Sequence, residues 1–138
     1  GTSFTGTTAN VRTMALAGNQ KTLADEFWQW TGITAGGAVV VGYYDRQYGN
    51  DDVVGASDYS VAYRGHSSRI SNVSSPAPTE FGGLFLGDYN VLSVVGYRAW
   101  VTWTDDRNPG LTSCSGDVNA ICTLGQDEDV FASRVSFD

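Results

Sequence analysis

Two segments of the chain end in an acid followed closely by an arginine, a combination that can hold a carboxylate ligand. They are Asp45-Arg46 and Asp105-Asp106-Arg107, each directly after an apolar and aromatic stretch. An arginine grips a carboxylate through two parallel N–H donors, and a neighbouring aspartate can transfer a proton. In the structural alternative, the aspartate accepts backbone N–H bonds in a strand-end turn and the arginine pairs with it. Because the combination occurs twice, we favour the structural interpretation.

The elements that carry these acids form a loose repeat. Val41, Tyr43 and Asp45 match Val101, Trp103 and Asp105 at an offset of 60 residues, and each copy is followed by a segment that opens on aspartate, Asp58–Ala62 or Asp129–Ser133. Several short strands in each unit predict propeller blades or a comparable array of small antiparallel sheets. No segment has the spacing of a long amphipathic helix. The predicted fold is therefore all-β, with about two blades in one domain, at about 25–80 and 81–138.

Alternation and turn residues place the individual strands. In the first region they predict a hairpin with a two-residue turn at Gly36-Gly37, a strand at about 58–64 and a weaker one at 69–73. In the second region two strands join at Gly96, and alternate residues form one apolar face: Val95, Tyr97, Ala99, Val101 and Trp103. The first two dozen residues read as an irregular arm.

Composition limits the possible partners. The 138-residue chain carries 8 basic and 15 acidic residues, and its net charge of −7 disfavours nucleic acid, whose phosphates it would repel. There is no apolar run long enough for a membrane span and no charged-then-apolar leader.

The only two cysteines, Cys114 and Cys122, lie in a polar segment that reads as a loop inserted in the second region. Two cysteines so close together predict a local disulfide in an exported protein. Zinc is disfavoured because His66 is the only histidine and zinc needs three or four protein ligands; we read His66 as a solvated loop residue. Calcium is a possible cofactor through the oxygens of Asp45, Asn50, Asp51 and Asp52.

Several segments, in order, resemble the secreted bacterial sialidase-like β-propellers. These are Asp25–Trp30, Tyr43–Asp51, Ser74–Phe81, Phe85–Tyr89, Trp103–Arg107 and Asp129–Phe131. The resemblance implies a six-bladed ring of four-stranded sheets, an extracellular location and a glycan or glycoprotein partner. This chain would supply about two blades, so the others would come from the same parent chain or from further copies. Tyr63–Arg69 stands where the family's Asp-box turn would fall and lacks its Asp and Trp.

The resemblance also implies a possible glycoside hydrolase chemistry for a complete ring. Sialidases use arginines to grip the substrate carboxylate, a tyrosine nucleophile activated by a glutamate, and an aspartate as acid/base. The candidates for a catalytic role are Asp88, Arg107 and Arg46, and Tyr43, Tyr44 and Glu80 are further residues of the required types. The candidates for binding are Tyr89, Trp100, Trp30, Asp45 and Asp105.

Tryptophans can stack on sugar rings or fill the protein core. Alternation predicts that Trp103 and Phe27 fill the space between blades, which leaves Trp28, Trp30 and Trp100 as sugar-platform candidates. The competing hypothesis for the whole chain is a non-catalytic structural or interaction module, in which the repeated Asp-Arg strand ends only hold the blades together.

Overall fold

The chain folds into two antiparallel β-sheets. A computed structural model describes residues 25–48, 55–78, 90–114 and 117–137, with the side chains of 109–127 outside the description. The first sheet contains β1 (Glu26–Ile33), β2 (Val39–Asp45), β3 (Asp58–Tyr63) and β4 (His66–Arg69) in that spatial order. The second contains β5 (Val91–Val95), β6 (Arg98–Cys114) and β7 (Asp117–Ser136), also in order. The described part is all strands and turns without a helix, so the all-β prediction is confirmed.

Three hairpin turns lie within the described residues and set the registers of the strands they join. Ile33 pairs with Val39, so the β1–β2 loop has five residues and the predicted two-residue turn at Gly36-Gly37 is wrong. Thr34 N donates to Ala38 O at 2.9 Å and closes this wider loop. Gly96 has a φ of 63° in a two-residue turn between β5 and β6, as predicted.

The β3–β4 turn lies where an Asp-box turn would fall. Arg64 and Gly65 both have positive φ, the geometry of a tight hairpin turn, and Tyr63 pairs with His66. His66 therefore begins strand β4 and is not a loop residue. The weaker strand predicted at 69–73 is also wrong, because β4 ends at Arg69.

The sheets pack face to face, and we call the faces that meet the inner faces. Their contact holds one cluster of buried residues: Val40, Tyr44, Tyr59, Val61, Leu92, Ala99, Val101 and Trp103. The Tyr59 and Trp103 rings stack with centroids 5.3 Å apart. Phe27 packs against the same cluster, so the prediction that Trp103 and Phe27 fill the space between the sheets is confirmed.

Two glycines allow the close approach of the sheets. A Cβ atom at Gly32 would lie 2.5 Å from Val94 Cγ2, and one at Gly42 would lie 3.3 Å from Leu92 Cδ1, both on β5 of the second sheet. At the hairpin ends, Ala35 N donates to Gly96 O at 2.9 Å, which aligns the β1–β2 and β5–β6 turns. This bond ties the two turns together at one end of the interface between the sheets.

The second sheet differs from its prediction at both ends. The segment around Cys114 and Cys122, predicted as a loop, instead extends β6 and β7 as a long hairpin. Ala99, Val101 and Trp103 are buried on the inner face as expected, but Val95 is 73% exposed. Val95 pairs directly with Arg98, so it shares the opposite face with that arginine.

Candidate functional site

Asp45 at the end of β2 and Asp105 within β6, where the pairing with β7 shifts between Asp105 and Asn108, form equivalent turns. Asp45 Oδ1 accepts a hydrogen bond from Gln47 N at 2.9 Å, and Asp105 Oδ1 accepts one from Arg107 N at 3.0 Å. Both carboxylates are almost completely buried. An aspartate that binds the backbone two residues on is an Asx turn. Both aspartates accept the predicted backbone N–H bond, but the predicted strand end is confirmed only for Asp45, because β6 continues past Asp105 to Cys114.

Arg107 is held by contacts within the protein. Its Nε donates to Asp105 Oδ1 at 2.8 Å while Nη2 donates to Asp105 Oδ2, and Nη1 donates to Asn72 Oδ1 at 2.6 Å. The guanidinium also lies 4.3 Å from the Phe131 ring centroid. The hydrogen bonds that Arg107 donates to Asp105 raise the pKa of Arg107. All three guanidinium nitrogens thus have a protein partner, and the Asn72 contact links the second sheet to the segment after β4.

Arg46, the other candidate arginine, lies at the edge of the first sheet. Its Nη1 is 3.7 Å from Asp25 Oδ2, and its guanidinium lies 5.3 Å from the Phe27 ring centroid. Arg46 and Arg107 are therefore attached to different sheets.

A third acid–arginine pair, Asp58 with Arg69, was missed by the sequence reasoning. Asp58 Oδ1 accepts hydrogen bonds from Arg69 Nε at 2.9 Å and Nη2 at 2.7 Å, and from Ser71 Oγ at 2.6 Å. Ser74 Oγ donates to Asp58 Oδ2 at 2.9 Å. One feature of the sequence could have indicated it, namely the aspartate that begins the strand after each repeat. Asp58 pairs with Asp45 and Asp129 pairs with Asp105, so each of these aspartates lies opposite the aspartate of the repeat.

The two described tyrosines of the candidate set are buried. The Tyr43 hydroxyl is hydrogen-bonded to Ser67, and the Tyr44 hydroxyl bonds to the backbone of Thr104. Burial raises the pKa of Tyr43 and that of Tyr44 to about 12. A tyrosine nucleophile needs the opposite, a phenol that ionises easily.

Three of the four tryptophans are open to solvent, whereas Trp103 is buried. The exposed fractions are 45% for Trp28, 46% for Trp30 and 57% for Trp100. Trp28 and Trp30 lie on edge strand β1, where the pairing register shifts between Phe27 and Trp30.

Trp28 occupies a strained backbone conformation. Its φ is 50°, a value that costs a bulky residue about 1–3 kcal/mol. Asn90 Nδ2 donates to its carbonyl oxygen at 2.6 Å, and its ring meets Phe27 and Tyr44 edge-on. These contacts hold the indole in place although it remains half exposed.

A groove of about 200 Å³ lies at the far edge of the interface between the sheets. It is lined by Val61, Tyr63, His66, Ser68, Val135, Ser136 and Phe137. Its walls are mainly apolar, and Tyr63 and Phe137 meet with ring centroids 4.6 Å apart. The groove contains none of the predicted site residues.

Some predicted site residues lie outside the described part of the chain. They are Asp88, Tyr89 and Glu80, the side chains of Cys114 and Cys122, and Asn50, Asp51 and Asp52. The disulfide and the calcium site therefore stay predictions. Within the described residues, no three or more His, Cys, Asp or Glu side chains are grouped so that they could hold a metal ion. The same residues include no helix long and apolar enough to cross a membrane.

The structure therefore offers two kinds of surface. The carboxylates of Asp45, Asp58 and Asp105 are occupied by internal hydrogen bonds, while tryptophans are presented to solvent on β1 and β6. Comparison of the chain with protein-family models, curated proteins and solved structures found no match.

Proposed function

We propose that this chain is a glycan-binding segment of an extracellular, sialidase-like β-propeller, and that exposed tryptophans are its binding groups. The observation that carries the proposal is the exposure of Trp28 and Trp30 on edge strand β1, each open to solvent by nearly half of its surface. An indole combines a large apolar face with one N–H donor. A sugar ring, which has apolar C–H faces and hydroxyl edges, complements it.

The strained backbone at Trp28 supports a binding role for β1. A conformation that costs about 1–3 kcal/mol persists only when surrounding contacts impose it, and such residues cluster at ligand sites. Here Trp28 lies in the bulge and Trp30 borders it on the same edge strand, and Asn90 fixes the bulge through the Trp28 carbonyl. A pair of neighbouring indoles suits successive sugar units of one glycan.

Binding is favoured over hydrolysis for the described part. The Arg107 guanidinium donates hydrogen bonds to Asp105 and Asn72 within the protein. Burial raises the pKa of Tyr43 to about 12. Neither group has the properties that the sialidase mechanism requires. A hydrolytic role would therefore depend on residues outside the described part, including Asp88, and on further blades.

The propeller part of the proposal is supported by the stacking of two antiparallel sheets in the same strand order. β5 contacts β1 and β2, while the ring of Trp103 on β6 stacks on Tyr59 of β3. Repetition of this arrangement would build a ring, with the remaining blades supplied by a longer parent chain or by copies. The predicted bridge between Cys114 and Cys122 is the basis for an extracellular location.

A non-catalytic structural module is the second candidate. The internal bonding of Asp45, Asp58 and Asp105 favours it, because each carboxylate holds neighbouring segments of the fold. In that case the exposed tryptophans would contact other parts of an assembly.

A glycan array followed by titration calorimetry tests the proposal. We expect binding that falls about tenfold or more in Trp30→Ala and in Trp28→Ala, while Trp30→Phe, which keeps an aromatic face, falls less. Val130→Ala is the matched control, since Val130 is exposed on the other sheet. A fluorogenic sialoside in the same experiment reports hydrolysis. Folded protein that binds no glycan on the array would overturn the proposal in favour of the structural module.

A further inference from the structure

Trp28 and Trp30 lie on the side of β1 that faces the second sheet, at the open edge of the interface. Trp30 pairs with Gly42, where an added Cβ atom would point into the interface, so Trp30 shares this side. The Trp28 ring meets the rings of Phe27 and Tyr44, which belong to the same packed cluster. Both indoles therefore lie on one side of an edge strand, and we call these two residues the indole pair.

The backbone of β1 is also available to a ligand. β1 is the first strand in the order of its sheet, and no described strand pairs with its other edge. An edge strand presents a row of unpaired N–H and C=O groups. These groups are uncharged and include both donors and acceptors. They match the hydroxyls of a sugar, because a hydroxyl can both donate and accept a hydrogen bond.

The bulge in β1 disfavours a polypeptide strand as the occupant of this edge. A paired strand needs a regular ladder, which the register shift between Phe27 and Trp30 and the φ of 50° at Trp28 interrupt. Bulges are one of the devices by which proteins prevent pairing at sheet edges. The same geometry disfavours a second copy of the chain that pairs through β1. A sugar chain needs no such ladder.

Charge at this end of the first sheet disfavours an acidic ligand. The guanidinium of Arg46 lies 5.3 Å from the Phe27 ring centroid, and the Phe27 ring meets Trp28. Arg46 Nη1 is 3.7 Å from Asp25 Oδ2, so an aspartate already balances the charge of this arginine. The chain as a whole carries a net charge of −7. A carboxylate at the indole pair would therefore meet a repulsive field.

We propose that the indole pair binds a neutral, unbranched oligosaccharide that lies along the edge of β1. The indoles stack on the C–H faces of two sugar units, and sugar hydroxyls bond to the unpaired backbone groups of the strand. The two Cα atoms are at most about 7 Å apart, because two residues separate them on an extended chain, so one oligosaccharide can contact both indoles. This inference rests on the proposed glycan-binding function and names its ligand class.

Calorimetric titration of the intact chain with two matched ligands tests the charge preference. One is cellotetraose, whose sugar rings have C–H groups on both faces, and the other is cellotetraose oxidised to carboxylates at the C6 positions. We expect the neutral ligand to bind at least about tenfold more tightly, with the difference shrinking as salt is added. Glucose, which can contact only one indole, should bind at least about tenfold more weakly than cellotetraose.

Substitutions test the assignment to the indole pair. Trp30→Ala should lower the affinity for cellotetraose toward that for glucose, and Trp30→Phe should lower it less, because it keeps an aromatic face. Tyr97→Ala is the matched control and should leave the affinity unchanged, since Tyr97 is a half-exposed aromatic residue in the β5–β6 turn. Urea denaturation checks that each variant is folded.

The other outcomes are distinct. Equal or tighter binding of the oxidised ligand that depends on Trp30 would overturn the neutral class while the glycan-binding function stands. Equal affinity for glucose and cellotetraose would overturn the contact with two sugar units. Cellotetraose binding that survives Trp28→Ala/Trp30→Ala would overturn the assignment to the indole pair. Absence of binding by any of these ligands would overturn this inference, and the glycan array then decides the broader function separately. Light scattering that shows a dimer abolished by Trp30→Ala would assign the indole pair to a second copy instead.

Discussion

The hydroxyl of Tyr44 bonds to both backbone polar groups of Thr104, a residue 60 positions further along the chain. It accepts a hydrogen bond from Thr104 N at 2.8 Å and donates one to Thr104 O at 3.1 Å. The two residues occupy equivalent positions in the sequence repeat, immediately before Asp45 and Asp105. One buried phenol therefore connects the two repeats next to their equivalent Asx turns.

Replacing Tyr44 by phenylalanine should destabilise the protein by about 1–3 kcal/mol, because the buried N–H and C=O of Thr104 both lose their partner. Urea denaturation measures this change. Tyr59→Phe is the matched control, since the buried Tyr59 hydroxyl has no hydrogen-bond partner among the described residues. It should leave the free energy of unfolding unchanged or slightly higher. Equal losses in the two variants would contradict the assigned bonds.

Gly42→Ala should destabilise the protein by about 1–3 kcal/mol through overpacking between the sheets. The added methyl group would lie 2.5 Å from the Tyr59 hydroxyl oxygen and 3.3 Å from Leu92 Cδ1. In a Tyr59→Phe background the nearest clash is removed, so the same substitution should cost measurably less. A double-mutant cycle by urea denaturation tests this coupling. Strict additivity would show that the Tyr59 hydroxyl is not what limits the space at Gly42.

The two Asx turns were predictable from the sequence repeat, because an Asx turn is a local structure. Asp45 and Asp105 each bond to a backbone N–H two residues on, so their role follows from short-range sequence. The pairing of Asp58 with Arg69 was not predictable in the same way. It depends on the turn at Arg64-Gly65, which brings β4 back beside β3 and sets Arg69 opposite Ser60.

The alternation of apolar and polar residues did not predict the facing of side chains at a bulge or at the end of a strand. The shift between Phe27 and Trp30 breaks the period of two in β1, so the facing of Trp28 could not be read from residue types. The long β6–β7 hairpin was not predicted because its glycine, serine and cysteine residues are typical of loops. Its backbone nevertheless pairs along the segment, with register shifts between Thr112 and Ser113 and between Ser113 and Cys114. Val95 lies at the end of β5 on the face turned away from the first sheet. Its apolar side chain predicted the buried face, but its position in the strand places it on the exposed one.

Arg107→Ala should lower the free energy of unfolding by about 3 kcal/mol, because it leaves the buried carboxylate of Asp105 without its ionic partner. It also removes the bond to Asn72 between the second sheet and the segment after β4. Arg98→Ala is the control, an exposed arginine with no described ion pair, and should change stability by less than about 0.5 kcal/mol. A stable Arg107→Ala variant that loses only ligand affinity or turnover would restore the catalytic interpretation of this arginine.

Alkaline pH should unfold the protein through its buried tyrosines. Burial raises the pKa of Tyr43 and of Tyr44 from 10.0 to about 12 in the folded state, and it also raises the pKa of Tyr59. Below pH 10 both states keep these phenols protonated and their contribution to stability is complete. Between about pH 10 and 12 the unfolded chain releases protons that the folded protein retains, so the free energy of unfolding falls as pH rises.

Each such tyrosine adds up to about 1.4 kcal/mol per pH unit to that slope. Urea denaturation at several pH values from about 8 to 11.5, with tyrosinate absorbance followed in parallel, measures it. Tyr44→Phe removes one titrating group, so unfolding should release about one proton fewer and the free energy of unfolding should fall less steeply with pH. This variant begins from a lower stability at neutral pH. Stability that stays constant through pH 11.5, with tyrosinate forming in the folded protein, would show that these phenols are accessible to solvent.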